Sequence, residues 1–261
     1  CFDTITTLTA KPILLKGGNP PGGSYSGPGV NTLAVTFSPA TAGPGSFLIT
    51  YQYTKVSGCS NSAARTIKVV SSAGFTCGNN MTDIRNGKIY PTVMLAGKCW
   101  LAKNLDYGTA IVSSQSQRDN CQVEKYCYED NVSNCLLSGG LYQWDELMNY
   151  QDAAGSQGLC PPGWHVPDEP EWQSLFNLYV NNAFAGKPLL YTGYSGFNAL
   201  IPGMEFFNKS SDFHGFATFL WTSTPHGGMK AWAHGMNSLN YGVSFYPSFR
   251  ANAFSVRCTR D

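Results

Sequence analysis

The 261-residue sequence predicts two domains, a small all-β sandwich over residues 1–72 and a larger, disulfide-rich domain of strands, helices and long loops over residues 77–261. Three observations predict this division. The first part lacks tryptophan and is rich in Thr, Ser, Gly and Pro, whereas the second part is rich in aromatic residues. Short alternations of apolar and polar residues fill the first part, and helical spacing appears in the second. The small residues of 71–80 form a short joint between them.

Strand and turn signals define the first domain. Turn-forming clusters rich in Gly and Pro occupy residues 16–25 and 39–45. Apolar and polar residues alternate over 47–54 and again over 64–70, with a turn between the two runs. This pattern predicts a β-hairpin within the sandwich.

A hairpin also opens the second domain. Asn86 and Gly87 lie between two apolar runs, which is the strongest short-range hairpin signal. Cys77 and Cys99 would then link the start of the first strand of this region to its third strand.

Cys127 and Cys135 would close a small, polar loop. Its acidic residues, Glu129 and Asp130, invite a calcium interpretation, but their spacing does not match the Asp-x-Asp-x-Asp-Gly ligand loop. No cofactor is therefore expected, and structural calcium is compatible with the loop but not predicted. Zinc is disfavoured because Cys-x2-Cys and His-x3-His spacings are absent.

The clearest helix start lies within residues 158–175. Asp168 can cap the helix, Pro170 suits its first turn, and Glu171 completes a capping box. Residues 144–148 show a second helical spacing. The apolar residues after the capping box share one face, which we expect to be buried: Trp172, Leu175, Phe176 and Tyr179.

Cysteine usage indicates an extracellular protein. Nine cysteines with many glycines and prolines are typical of a loop-rich chain stabilised by disulfides. The best partner of Cys160 is Cys258, and this bridge would tie the middle of the chain to its last residues. An odd number of cysteines leaves one thiol unpaired or bonded to another chain, and the partner of Cys121 stays open.

The charge pattern excludes some function classes. Charged residues make up 13% of the chain and the net charge is +1, without a basic cluster, so no nucleic-acid partner is expected. No apolar run has the roughly 18 to 20 residues of a membrane helix, so the protein is not expected to span a membrane.

Four motifs occur together in the first domain: GGSYSGPGV at 22–30, FSPATAGPG at 37–45, ITYQYT at 49–54 and GCSNSA at 58–63. With these motifs, the domain resembles the immunoglobulin-like repeats of Bacteroidota surface proteins. The resemblance implies an immunoglobulin-like β-sandwich that acts as a spacer, with a disulfide between Cys1 and Cys59.

Seven motifs follow one another along the second domain: DIRNGKIY at 83–90, CWLAKNL at 99–105, EKYCY at 124–128, GGLYQWDELM at 139–148, CPPGWHVP at 160–167, FLWTST at 219–224 and FSVRC at 254–258. With these motifs in this order, the domain resembles the Fibrobacter succinogenes major paralogous domain, which is abundant in Bacteroidota. The resemblance implies an α+β, C-type-lectin-like domain with two main helices, short antiparallel strands and long loops. The segment VPDEPEW at 166–172 is also similar to a stretch of formylglycine-generating enzymes, which share that architecture.

The expected function is binding or adhesion at the outer cell surface or outside the cell. The partners would be a glycan or a protein on another cell or matrix, or copies of the protein itself. Aromatic side chains on long loops suit such contacts. The candidate contact residues of the second domain are Tyr191, Tyr194, Phe206, Phe207, Phe213, His214, His226 and Tyr246.

The sequence also leaves two other functions open. One is a structural subunit of an extracellular fibril or filament. The other is an enzyme on the formylglycine-generating scaffold, but that chemistry needs reactive cysteines, and Cys258 is assigned to a structural bridge. No catalytic residue is therefore expected.

Asp3-Thr4-Ile5 fits the pattern of Bacteroidota O-glycosylation, which makes Thr4 a candidate site.

Overall fold

The protein is described from a computed structural model, which covers residues 4–71, 74–179, 182–206 and 211–260. The chain divides into two compact units, Cys1–Phe75 and Thr76–Asp261. The boundary lies inside 71–80, where the sequence predicts the joint.

In the part of the first unit that the structure describes, two small sheets enclose the core. One has the strand order β1-β7-β6-β3 and the other β2-β5-β4, and their buried residues Phe37, Ile49 and Ile67 share one apolar cluster. The elements are β1 (Ile5–Thr7), β2 (Ile13–Leu14), β3 (Ser24–Ser26), β4 (Val30–Asn31), β5 (Thr36–Phe37), α1 (Pro39–Ala42), β6 (Gly45–Thr54) and β7 (Ser60–Val70).

The predicted hairpin of the first unit is confirmed. Strands β6 and β7 pair antiparallel from Gly45↔Val69 to Thr54↔Ser60. Ile49 and Ile67 face the core, whereas residues 60–66 of β7 are exposed. The far half of the hairpin therefore extends beyond the apolar cluster. The immunoglobulin-like assignment stays a prediction.

Among its described residues, the second unit contains five sheets of two to four strands. Their strand orders are β10-β11-β21, β12-β13, β14-β20-β15-β16, β17-β18-β19 and β8-β9. The strands are β8 (Met81–Thr82), β9 (Ile89–Tyr90), β10 (Thr92–Leu95), β11 (Lys98–Leu101), β12 (Thr109–Ala110), β13 (Glu124–Lys125), β14 (Tyr142–Gln143), β15 (Met204–Glu205), β16 (Ser211–Asp212), β17 (Ala217–Pro225), β18 (Lys230–Asn237), β19 (Val243–Phe249), β20 (Ala253–Phe254) and β21 (Thr259–Arg260).

The expected α+β, C-type-lectin-like fold with two main helices is wrong. The described helices of the second unit are short: α2 (Val132–Ser138), α3 (Trp144–Leu147), α4 (Glu169–Asn177) and α5 (Asn182–Leu189). The helical spacing at 144–148 produces only one turn, because β14 runs directly into α3 and the left-handed backbone of Asn149 (φ 52°) and Tyr150 (φ 57°) follows it. The unit is mainly an assembly of small sheets.

Helix α4 forms where its start signals predict. The Asp168 side chain accepts from the Glu171 N–H at 3.0 Å, and the Glu171 side chain accepts from the Asp168 N–H at 2.9 Å. This reciprocal capping box fixes the first turn. The buried face packs against residues from other elements: Trp172, Leu175 and Phe176 of α4 with Trp100, Phe197 and Leu220.

Three disulfides of the second unit join the cysteines that the sequence paired. They are Cys77–Cys99, Cys127–Cys135 and Cys160–Cys258, with Cα–Cα distances of 5.7, 5.1 and 5.7 Å. Cys121, whose partner the sequence left open, is also disulfide-bonded.

The expected bridge between Cys1 and Cys59 is not supported at its described end. Cys59 is a free, exposed thiol, and Cys1 lies outside the described residues. Cys59 belongs to the turn between β6 and β7, where its carbonyl accepts from the Lys55 N–H at 2.8 Å. This turn lies at the exposed end of the hairpin, which explains the accessibility of the thiol.

Candidate ligand-binding surface

The structure does not gather the eight predicted contact residues into one site. Tyr191 and Tyr194 follow α5 and are exposed, and Tyr194 meets Tyr179 edge to face at 6.4 Å. His214 is exposed and stacks on the buried ring of Tyr128 at 4.6 Å. Phe207 lies outside the described residues.

A second group of predicted rings surrounds Phe219 of β17. Phe213 lies 5.5 Å from Phe219, and Tyr246 of β19 lies 6.3 Å from it. Phe206 contacts Phe213 at 6.3 Å. The hydroxyl of Tyr246 is buried without a hydrogen-bond partner among the described residues, and burial raises the pKa of this group. These rings mainly pack on one another.

His226 belongs to a different surface, which we call the aromatic ladder: His234, Phe245, Trp232 and His226. Along the ladder, successive ring centroids lie 5.0, 4.1 and 4.4 Å apart. His234 and Phe245 face each other across β18 and β19, and Trp232 precedes His234 by two residues on the same face. The ladder therefore follows from strand register.

The ladder is buried at its His234 end and exposed at its His226 end. His234 is fully buried, Phe245 is 39% exposed, Trp232 is half-buried, and His226 is exposed. The two central rings are nearly parallel, with an interplanar angle of 17°. Beside them, the Lys230 ammonium lies 4.9 Å above the centre of the half-exposed Phe249 ring. The result is a solvent-facing strip of aromatic surface with cationic and imidazole groups next to it.

Helix α4 anchors the buried end of the ladder. The His234 ring lies 5.4 Å from Trp172 and 4.7 Å from Phe176. Its Nε2 is 2.8 Å from the Glu169 carboxylate in the first turn of α4. Packing and this polar contact fix the orientation of the His234 ring. The His234 ring in turn positions the rings that stack along the ladder.

Arg250 anchors the turn that carries the exposed end. Its guanidinium lies 4.1 Å above the Trp144 ring and donates to Asp145 at 3.1 Å and Asp152 at 2.8 Å. Its backbone N–H donates to the Met229 carbonyl at 2.9 Å. These contacts hold the turn between β17 and β18 in place before any ligand arrives.

The polar cluster around Glu171 has a structural role. His165 Nε2 lies 2.7 Å from Glu171 Oε1, and Lys98 Nζ lies 3.1 Å from the same atom. Burial alone would raise the pKa of Glu171, but the hydrogen bond and charge of His165, with the Asp168 N–H and Lys98, lower it to about 2. Both carboxylate oxygens are engaged, so the group holds the segment after Cys160 against α4.

In the acidic loop between Cys127 and Cys135, Asp130 likewise bonds to another part of the protein. Asp130 accepts from the Ser113 N–H at 2.6 Å and from the Ser113 hydroxyl at 3.0 Å. Within the described residues, no group of three or more His, Cys, Asp or Glu side chains is placed to hold a metal ion. Thr4, the candidate O-glycosylation residue, is exposed just before β1.

The predicted contact residues did not include Trp232, Phe245 or Phe249 of this surface. The alternation of β18 puts Trp232 on the same face as His234, but the pairing of β18 with β19 decides which rings stack on them. That pairing joins strands whose register no short motif specifies. His226 was found because it lies in a loop next to aromatic strands.

The fold and this surface define a disulfide-bonded, β-rich domain that presents an aromatic strip to solvent. A family model, the Fibrobacter succinogenes major domain, matches residues 93–260. The chain therefore belongs to the Fibrobacter succinogenes major domain family. No curated protein and no solved structure matches the chain.

Proposed function

We propose that this protein acts outside the cell as a recognition or adhesion protein that binds a glycan through the aromatic ladder. The observation that carries the proposal is the stack of Trp232 on Phe245, which is open to solvent and anchored at its buried end. No catalytic role and no bound metal are part of the proposal.

The chemistry of the ladder suits a sugar. Flat aromatic rings offer apolar faces to the C–H faces of a sugar ring, while polar groups at the edge can bond its hydroxyls. His226 and Lys230 supply such groups next to Trp232. Because α4 and Arg250 hold both ends of the surface, little ordering entropy is lost on binding.

The disulfides support an extracellular setting. Bridges such as Cys77–Cys99, Cys127–Cys135 and Cys160–Cys258 persist in oxidising compartments and are rare in reducing ones. None of the described helices has the length and apolar character that a membrane crossing requires.

Self-association in a fibril is the second candidate function. The exposed thiol of Cys59 and the exposed half of β7 beside it favour contact between copies. Size measurement of the full chain under non-reducing conditions tests it. Discrete oligomers that disappear in Cys59→Ser support assembly through this region, and a clean monomer contradicts it.

A glycan array with the full chain, followed by affinity measurement on a bound glycan, tests the glycan proposal. Trp232→Ala and Phe245→Ala should each weaken binding by at least tenfold, because each removes a stacking face. Tyr194→Ala is the matched control, since it removes a ring that is 82% exposed elsewhere. No binding across the array, or binding that depends on Tyr194 and not on either ladder ring, would contradict the proposal.

A further inference from the structure

The first unit contains a cavity of about 290 Å³ between the loop 16–19 and strands β3, β6 and β7. This volume is near the lower limit for small-molecule sites, about 300 Å³. The lining of the cavity includes Lys16, Asn19, Tyr25, Tyr51, Ala63 and Arg65. The resemblance to spacer repeats does not predict a cavity of this kind.

Strand register builds the floor of the cavity. Tyr25 of β3 lies opposite Tyr51 of β6, which in turn lies opposite Ala63 of β7. The two tyrosine rings are 4.8 Å apart and tilted by 51°. Directly opposite residues point to the same face, so the small Ala63 side chain leaves space beside Tyr51. Arg65, two residues along β7, reaches the same face.

The tyrosine hydroxyls fix the cavity wall. Tyr25 Oη accepts from the Gly18 N–H at 2.8 Å, and Tyr51 Oη accepts from the Gly23 N–H at 2.7 Å. A Cβ at Gly18 would lie 2.4 Å from the Tyr51 ring, so only glycine permits this close approach. The loop and both rings are therefore held in place without a ligand.

The charge of this unit favours an anion. Its sequence, 1–75, holds five cationic side chains and one carboxylate, Asp3. Whatever internal contacts the cations make, one carboxylate cannot neutralise five, so the unit keeps a positive net charge. Lys16 and Arg65, two of the five, line the cavity itself.

We propose that this cavity binds a small anionic sugar, a hexuronic acid, as a second site separate from the aromatic ladder. The sugar ring lies against Tyr25 and Tyr51, whose faces supply apolar contact, and its carboxylate points towards Lys16 and Arg65. The carboxylate gives selectivity over neutral hexoses, because charge-assisted hydrogen bonds are about twice as strong as neutral ones.

The test is an NMR titration of the full chain with D-glucuronate, with D-glucose and inorganic phosphate as comparison probes. Glucuronate should bind at least fivefold more tightly than glucose or phosphate. Ala63→Leu fills the cavity and should abolish binding, whereas Ser62→Leu, one residue away and outside the lining, should not. Arg65→Gln should weaken binding at least fivefold, whereas the exposed control Lys68→Gln should not.

Several results would overturn this proposal without touching the glycan proposal. Equal affinity for glucose would exclude the carboxylate contact, and equal affinity for phosphate would exclude the sugar contact. Glucuronate binding that survives Ala63→Leu, or that is lost in Trp232→Ala, would place the ligand elsewhere. Retained glucuronate binding in Trp232→Ala supports two independent sites.

Discussion

Arg257 Nε donates a hydrogen bond to Asn104 Oδ1 at 2.7 Å in the interior of the second unit, where both side chains are fully buried. The guanidinium also donates to the carbonyls of Leu101 at 2.8 Å and Asn198 at 2.7 Å. Burial lowers the pKa of Arg257 to about 9, so the group remains charged at neutral pH. The charged Arg257 side chain therefore links the end of β11, at Leu101, to the last residues of the chain.

Asn104→Ala should destabilise the protein by about 3 kcal/mol, because it leaves a charged donor of Arg257 buried without its acceptor. Chemical denaturation of the full chain measures the loss. Asn177→Ala is the control, since its side chain is exposed and bonds only to Gln173 in the described contacts; its effect should stay within about 0.5 kcal/mol. Equal effects of the two changes would show that the buried contact contributes nothing.

The low pKa of Glu171 predicts a loss of stability in acid. The folded-state pKa of about 2 lies below the ordinary value of 4.5, so the contribution is fully present above about pH 4.5 and disappears as the pH falls towards 2. It amounts to about 3 kcal/mol at most. Glu171→Gln should flatten the pH dependence of unfolding in this window, and the exposed Glu129→Gln should leave it unchanged.

The disulfides should differ in their contributions according to loop length. In the chain-entropy model, Cys160–Cys258, with a sequence separation of 98, contributes about 4.7 kcal/mol, and Cys127–Cys135, with a separation of 8, about 2.5 kcal/mol. Paired Cys→Ala variants of each bridge, compared by urea unfolding, measure the difference. A larger loss from the short bridge would contradict the model for this protein.

Cys59 should react with a thiol reagent in the folded protein, because its thiol is exposed and free. Peptide mapping after labelling without denaturant should find the label at Cys59, and Cys59→Ser should remove it. The bridge cysteines Cys77, Cys99, Cys160 and Cys258 should remain unlabelled until a reductant is added. A Cys59 that reacts only after reduction would restore the pairing inferred from the immunoglobulin-like resemblance.

Features set by nearby residues were predictable from sequence. The capping box depends on Asp168 and Glu171, three residues apart, and the β6–β7 hairpin depends on alternation beside a turn. The small loop of Cys127 and Cys135 is equally local. Each is decided by neighbours in the chain, so no knowledge of tertiary packing was needed.

Features set by the pairing of particular strands were not predictable. The aromatic ladder requires β19 beside β18, and the cavity of the first unit requires Tyr25, Tyr51 and Ala63 on three neighbouring strands. The apolar residues of 144–148 fit a helical face but lie in a β-rich core, where only one turn of helix forms. The spacing of apolar residues alone does not distinguish a long helix from a single turn beside strands, because a mixed core can bury the apolar residues of either.

The bridge between Cys160 and Cys258 also determines how the second unit would respond to tension. If the protein is pulled by its two ends, force passes from the main chain through the sulfur–sulfur bond and bypasses every residue between the two cysteines. Strands β17 to β19, with Trp232 and Phe245, lie within this bypassed loop. A surface held in that loop would keep its shape under a mechanical load that extends the rest of the chain.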